Sequence, residues 1–189
     1  MNKIIKINFF LLLFVCLISC ATKKEEIKET VPAPKPAIVE EKDRIGCLSY
    51  KIPENMENAP NEAYKYSYDL LILEKGDNFF DSGVKIAIKV YENVYNYSLK
   101  KFVDQDQKRL RDRVKIIDEE KWTPKGAEWK NIGYFAFEFT YTIQGIKVYQ
   151  RSVYVSCETK IYIISLNSLF KEKMLDKKND RFWESIGVD

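Results

Sequence analysis

The strongest constraint on the fold is a hairpin pattern in the C-terminal half of the chain. Between residues 134 and 143, bulky apolar side chains occupy every second position: Phe135, Phe137, Phe139, Tyr141 and Ile143. Gln144-Gly145 follows as a short turn, and a second strand-like run continues over 146–155. A period of two on either side of a two-residue turn predicts an antiparallel hairpin with one face buried.

Four other segments carry strand signals. In Cys47–Ile52 apolar residues occupy alternate positions, and the segment ends at a proline. In 66–73 apolar and aromatic residues again occupy alternate positions, and turn residues follow. Val84–Val90 alternates apolar residues with lysines, which is typical of a strand with one wet face. Ile161–Leu166, reached by a turn near Glu158, extends the hairpin into a three-stranded meander.

Two segments change to a helical period. In 98–114 the apolar residues fall on one stripe, and Ser98 is a candidate N-cap: Leu99, Phe102, Val103, Leu110 and Val114. The segment 171–186 predicts a second amphipathic helix, with Gly187 just past its end. The order of the elements predicts an α+β domain, an antiparallel sheet of about six strands packed with two main helices.

The N-terminus predicts export and lipidation. Lys3 and Lys6 precede an unbroken apolar run over 9–18, which is too short for a spanning helix. The run ends Leu17-Ile18-Ser19-Cys20, which resembles the lipobox of bacterial lipoproteins. That resemblance implies a signal peptide over 1–19, lipid on the Cys20 sulfur and anchoring to a bacterial membrane, the outer membrane in a cell that has two. The alternatives are an ordinary signal peptide with a chance cysteine and a buried apolar helix.

Residues 20–44 predict a flexible tether. The segment mixes Lys and Glu in equal measure, alternates Pro32, Pro34 and Pro36 with other residues, and has no aromatic side chain. Such a stretch has almost nothing to bury, so its ordering entropy is not offset. We interpret it as a spacer that holds a globular domain, 45–189, away from the bilayer, and a proline-rich partner motif is the alternative.

Charge and composition exclude several function classes. Removing the signal takes two lysines from 31 basic residues against 28 acidic ones, which leaves a net charge of about +1. This balance argues against a nucleic-acid partner. The chain contains no histidine, the commonest metal ligand and general base, and neither a phosphate-binding loop nor a Gly-x-Ser-x-Gly motif occurs. We therefore expect no catalytic residue, cofactor or metal.

The order of elements and several short phrases resemble the PsbP-like fold, which includes DcrB-type bacterial lipoproteins. The matching phrases are Gly46-Cys47-Leu48-Ser49-Tyr50-Lys51-Ile52-Pro53, the Gln144-Gly145 hairpin, Ile161–Leu166 and Phe182-Trp183-Glu184-Ser185-Ile186. The resemblance spans 45–189 and implies a binding or assembly module without a catalytic site to carry over. Fold analogy alone does not identify a function.

Two cysteines of the exported chain remain after Cys20. Cys47 and Cys157 could form one disulfide in an oxidising compartment, or could remain two small buried hydrophobic residues. Sequence alone does not pair them.

Two aromatic residues stand out as a candidate partner surface. Trp122 and Trp129 flank a Pro/Gly turn. If exposed they could grip a partner or a glycan, and if buried they would cap the core.

These observations lead to a functional hypothesis with alternatives. We expect a non-catalytic lipoprotein, attached to the membrane through Cys20, whose domain binds a protein partner or supports an assembly in the cell envelope. The alternatives are an envelope enzyme acting on glycan or lipid through carboxylates, and a solute-binding lipoprotein. Acid groups such as Glu119-Glu120 and Asp176…Asp180 would serve the enzyme, but their sequence context favours solvated turns and helix faces.

Overall fold

A computed structural model describes residues 42–59, 67–79, 81–126, 129 and 132–188. All of them belong to one compact unit, Glu41–Asp189. The predicted signal peptide, Cys20 and the tether up to residue 41 lie outside the described residues.

The described residues form ten strands and three helices. In chain order they are β1 (Asp43–Ile45), β2 (Leu48–Tyr50), β3 (Met56–Asn58), β4 (Leu70–Glu74), β5 (Val84–Glu92), α1 (Leu99–Arg113), β6 (Lys115–Lys121), β7 (Tyr134–Ile143), β8 (Ile146–Cys157), β9 (Lys160–Ser168), α2 (Lys171–Met174), α3 (Lys177–Ser185) and β10 (Gly187–Val188).

Seven strands form the large sheet, in the order β3-β4-β5-β9-β8-β7-β6, and every neighbouring pair is antiparallel. The predicted hairpin is present, since Ile143 pairs with Ile146 across Gln144 and Gly145. Both turn residues have positive φ, 51° and 82°. This is the turn whose twist matches that of the flanking strands.

A small sheet, β1-β2-β10, joins the two ends of the domain. Asp43 and Arg44, which the sequence assigns to the tether, pair with Tyr50 and Ser49 of β2. Gly187 lies just past the end of the last helix, as the sequence predicts, and it also begins a short strand in which it pairs with Ser49. A Cβ on Gly187 would lie 2.7 Å from the Ser49 Oγ, so a larger residue at this position would require the Ser49 side chain to move.

The main core lies between the large sheet and a layer made by the small sheet, α2 and α3. The large sheet contributes aliphatic residues of alternating positions, among them Ile86 and Ile164. The covering layer contributes Leu48, Phe182 and Trp183, all at most 1% exposed. This face fixes the C-terminal segment against the sheet.

Helix α1 covers part of the opposite face and contacts β7 and β8. The Ser98 Oγ accepts a 3.3 Å hydrogen bond from the Lys101 backbone N–H, which bears out the predicted N-cap. Val103 on the predicted stripe is buried, and so is a polar neighbour, Gln107. The second predicted helix is interrupted, because the Asp176 carboxylate caps a new helix by accepting from the Lys178 N–H.

The α+β class with antiparallel sheets is confirmed, but six strands was too few. The missed strands are β1, β3, β6 and β10. Three of them have two or three residues, too few for a period to be visible. β6 is an edge strand whose residues are mostly exposed and charged, so it has no apolar alternation.

Candidate functional site

A cleft of about 200 Å³ lies between α1 and the sheet face that it covers. We call it the α1 cleft. Its lining residues come from four elements: Tyr91, Asp106, Arg109, Leu110, Arg113, Gln150, Tyr154 and Ile163. The lining combines two guanidinium groups, one carboxylate, two phenols, an amide and two aliphatic side chains.

The helical period explains one wall. Asp106, Arg109, Leu110 and Arg113 are spaced three, four and seven residues apart, so α1 presents them on one side. Neither Arg109 nor Arg113 forms an ion pair with a carboxylate in the described part of the chain. By contrast, the Arg111 guanidinium holds both oxygens of Glu119 in β6 at 2.9 and 2.7 Å.

The floor of the cleft contains two phenols in their neutral form. The Tyr154 hydroxyl donates a 3.0 Å hydrogen bond to the Asp106 Oδ2. Burial, and secondarily the charge of Asp106, raise the pKa of Tyr154 well above its ordinary value of 10.0. Burial likewise raises the pKa of Tyr91, with a further contribution from Asp106. Both side chains are therefore hydrogen-bond donors at neutral pH.

Gln150 is held in one orientation by its neighbours. The Tyr141 hydroxyl donates to the Gln150 Oε1 at 3.0 Å, and the Gln150 Nε2 donates to the Ser152 Oγ at 2.6 Å. Burial raises the pKa of Tyr141 to about 12, so this phenol remains a donor. The chain of bonds gives the cleft a rigid polar wall.

The cleft lacks the pair of neighbouring carboxylates that the enzyme alternative needs. Asp106 is the single carboxylate among its lining residues. The acid groups singled out in the sequence have structural contacts instead: Glu119 binds Arg111, Asp180 binds the Lys125 ammonium at 2.6 Å, and Asp176 caps α3. Within the part of the chain that the structure describes, no three His, Cys, Asp or Glu residues come together as a metal site.

The structure brings Cys47 and Cys157 together. Their sulfurs are in contact, and the Cα atoms are separated by 6.6 Å, within the range that a disulfide spans. Cys47 precedes β2, and Cys157 ends β8. The pair thus connects the small sheet to an interior strand of the large sheet.

The structure corrects the proposed tryptophan surface at one of its two residues. Trp129 is 3% exposed, and its indole N–H donates a 3.0 Å hydrogen bond to the Trp183 carbonyl. It is therefore a core residue, because its apolar rings and its polar atom are both satisfied inside the fold. Trp122 is half-buried and packs edge-on against Trp183, with 5.0 Å between the ring centroids. The Arg151 guanidinium carbon lies over the Trp122 ring, 4.8 Å from its centroid.

The functional residues that sequence reasoning missed are those of the α1 cleft. Asp106 and Gln107 interrupt the apolar stripe of α1 where it faces the sheet. That interruption was the one available signal that polar groups meet beneath the helix. None of the described helices is long and apolar enough to cross a bilayer.

Known structures share this architecture. The solution structure of cyanobacterial PsbP (CyanoP) from Synechocystis superposes with a TM-score of 0.52 at 8% identity, covering 79% of this chain and 91% of that one. The crystal structure of LpqN, involved in cell envelope biogenesis of Mycobacterium tuberculosis, gives 0.50 at 15% identity, covering 75% and 82%. No family model and no curated protein matches the sequence. The domain has a PsbP-like fold.

Proposed function

We propose that the chain is a non-catalytic bacterial lipoprotein, anchored through lipid on Cys20, whose PsbP-like domain binds a protein partner or supports an assembly in the cell envelope. The proposal joins three observations that do not depend on one another: the lipobox-like sequence, the paired cysteines of the domain and the contents of the α1 cleft.

The cysteine pair is the observation that carries the envelope address. Disulfides persist in exported proteins and are rare in the reducing cytosol. The closed loop spans 110 residues, so oxidation would constrain most of the domain. A domain that brings two cysteines into bonding distance is suited to the compartment that the lipobox predicts.

The placement of the domain fits a tethered module. The first described strand begins at Asp43, so the predicted spacer has up to 22 residues, from Ala21 to Lys42. A flexible chain of this length reaches about 25–30 Å, enough to present the domain beyond lipid headgroups.

The non-catalytic part of the proposal rests on the α1 cleft and on the fold. A carboxylate mechanism requires a second acid facing Asp106, and the other lining groups are cationic, amide, phenolic or aliphatic. LpqN, which has the same fold, is described as taking part in envelope biogenesis. We carry that envelope context over to this chain as part of the proposal.

The anchor is tested by a matched pair of cysteine variants. Cys16 lies four residues before Cys20 inside the predicted signal, so Cys16→Ala controls for any loss of a thiol there. We expect the unmodified chain and Cys16→Ala to incorporate radiolabelled palmitate and to sediment with membranes. Cys20→Ala should lose the label and the processing. A Cys20→Ala chain that is still cleaved and labelled would refute the anchor.

Partner binding is tested in the membrane where the protein resides. Cells expressing the lipidated chain are treated with a short amine-reactive crosslinker, and the adducts are identified by mass spectrometry. We expect the adducts to contain one reproducible envelope protein, and purification of that protein should in turn recover this chain. The same adduct should be less abundant in cells that express the untethered Cys20→Ala chain. Recovery of the uncrosslinked chain alone would contradict a protein partner.

A further inference from the structure

The α1 cleft contains an unbalanced positive charge. Two arginines and one aspartate line it. The Asp106 carboxylate already accepts from the buried Tyr154 hydroxyl, and neither arginine forms an ion pair with a carboxylate in the described ranges. Arg111 shows how the same helix uses an arginine for structure, because its Nη2 donates to both carboxylate oxygens of Glu119. Arg109 and Arg113 have no such structural role.

The two guanidinium groups can act on one ligand. Residues four apart on a helix have Cβ atoms about 5–6 Å from each other on one side. A carboxylate offers one edge to which an arginine fork can bind through two parallel hydrogen bonds, whereas a phosphate offers more than one such edge and can accept from both forks in that way at once. The neutral Tyr91 hydroxyl, which the same lining supplies, is a further donor that adds no charge of its own.

The size and the apolar part of the lining narrow the ligand further. A volume of about 200 Å³ is below the roughly 300 Å³ at which clefts begin to hold drug-sized ligands. Leu110 and Ile163 offer aliphatic contact beside the charged wall. The lining therefore suits a phosphate group that carries a small or flexible apolar substituent.

We propose that the α1 cleft binds a phosphate-bearing ligand, with Arg109 and Arg113 donating to the phosphate oxygens, the Tyr91 hydroxyl as a further donor, and Leu110 and Ile163 covering the substituent. The phosphate belongs either to a phospholipid headgroup or to a small soluble phosphoester. This activity belongs to the folded domain, and it holds whether or not Cys20 is lipidated.

The test uses the exported chain, residues 20–189, with Cys20→Ser to keep it in solution. Backbone amide NMR signals are followed during titration with sodium phosphate at constant ionic strength. We expect saturable shifts centred on Tyr91, Arg109 and Ile163. Arg109→Gln and Arg113→Gln should each weaken binding about tenfold, since each removes charge-assisted hydrogen bonds.

Lys108→Gln is the matched control, because Lys108 is an exposed cation of α1 that does not line the cleft. Its affinity should remain that of the unmodified chain. Arg113→Lys keeps the charge but loses the planar fork, so its affinity should fall between those of Arg113 and Arg113→Gln. All four variants should keep the thermal midpoint of the unmodified chain, because these side chains are exposed.

A second titration separates the two sources of phosphate. Dihexanoyl phosphatidylglycerol below its micelle concentration should bind more tightly than the small phosphoester propyl phosphate if the cleft takes a lipid headgroup, and more weakly than propyl phosphate if it takes a soluble phosphoester. Both results support the proposal provided that the arginine variants weaken binding.

Two results would overturn the proposal. One is the absence of saturable shifts with any of these phosphate compounds. The other is an equal loss of affinity in Lys108→Gln and in the arginine variants, which would indicate diffuse attraction to a basic helix. Because the chain tested is free of lipid, either failure leaves the proposed anchor and protein partner as they stand.

Discussion

The indole N–H of Trp129 donates a 3.0 Å hydrogen bond to the backbone carbonyl of Trp183, 54 residues further along the chain. Both rings are buried, and Trp122 packs against the same Trp183 ring. The loop that follows β6 is thereby fastened to α3 over the main core.

Replacing Trp129 by Phe should lower the free energy of unfolding by about 3 kcal/mol, because it removes ring volume and leaves a buried carbonyl without its donor. Trp183→Phe is the matched comparison. The Trp183 Nε1 has no hydrogen-bond partner among the described residues, so that change removes volume but no bond. We expect it to cost about 1 kcal/mol less, by urea titration. Equal losses would show that the bond contributes nothing.

Breaking the contact between Cys47 and Cys157 should destabilise the exported domain. If the two are oxidised, a loop of 110 residues is closed, and its loss corresponds to about 4–5 kcal/mol in the chain-entropy model. The first measurement is the protein mass after treatment with an alkylating reagent under denaturing, non-reducing conditions. Neither Cys47 nor Cys157 should gain an alkyl group, because a disulfide leaves no free thiol to react. The second is the unfolding midpoint with and without reductant. Two alkylated thiols in protein from the envelope would refute the prediction.

The ion pair between Glu138 and Arg151 should depend on both partners. The Arg151 Nε donates to the Glu138 Oε2 at 2.9 Å, and the two side chains are 12% and 11% exposed. Glu138→Gln removes the charge that compensates a largely buried guanidinium, which should cost about 2 kcal/mol. Glu138→Gln combined with Arg151→Met should cost less than the sum of the single changes. Additive losses in this double-mutant cycle would mean that the pair is not coupled.

Stability should fall in strong alkali because folding raises the pKa of several phenols, Tyr50 and Tyr141 among them. Burial raises the pKa of Tyr50 and of Tyr141 from 10.0 to about 12. A group whose pKa is higher in the folded state stabilises that state fully below pH 10 and progressively less as the pH rises to 12. Absorbance at 295 nm should show a late-ionising fraction in the native chain that disappears in guanidinium. Tyr141→Phe should reduce that fraction, and an unchanged late phase would contradict the assignment.

Local chemistry explains which elements could be predicted from the sequence. The hairpin from β7 to β8 could be predicted from its period of two and from the turn Gln144-Gly145. The start of α1 could be predicted from the N-cap residue Ser98. Both signals act within a few residues. The resemblance to the PsbP-like fold came from the order of such elements, and the fold is as expected.

Pairing between distant segments explains what was missed. β10 is defined by its pairing with β2 near the other end of the domain, and β6 lies at an edge position that tolerates its charges. The break in the C-terminal helix had a local signal, because Asp176 is a typical N-cap residue. The apolar stripe continues on both sides of Asp176, so the stripe alone predicts a single helix.

The α1 cleft has the same origin. Tyr91, Arg109 and Ile163 are far apart in sequence and meet because β5 pairs with β9 while α1 lies over β8. None of these residues stands out by itself. The two tryptophans that did stand out, Trp122 and Trp129, contribute to the core, since both contact Trp183.

The cysteine pair also determines how the domain would bear mechanical load. A pull on the chain ahead of Lys42 acts first on β1, which a short ladder with β2 holds. At Cys47 a covalent link would divert the tension to Cys157, at the end of an interior strand flanked by β9 and β7. Only the few residues before Cys47 could then peel away under tension, and the rest of the domain would remain folded.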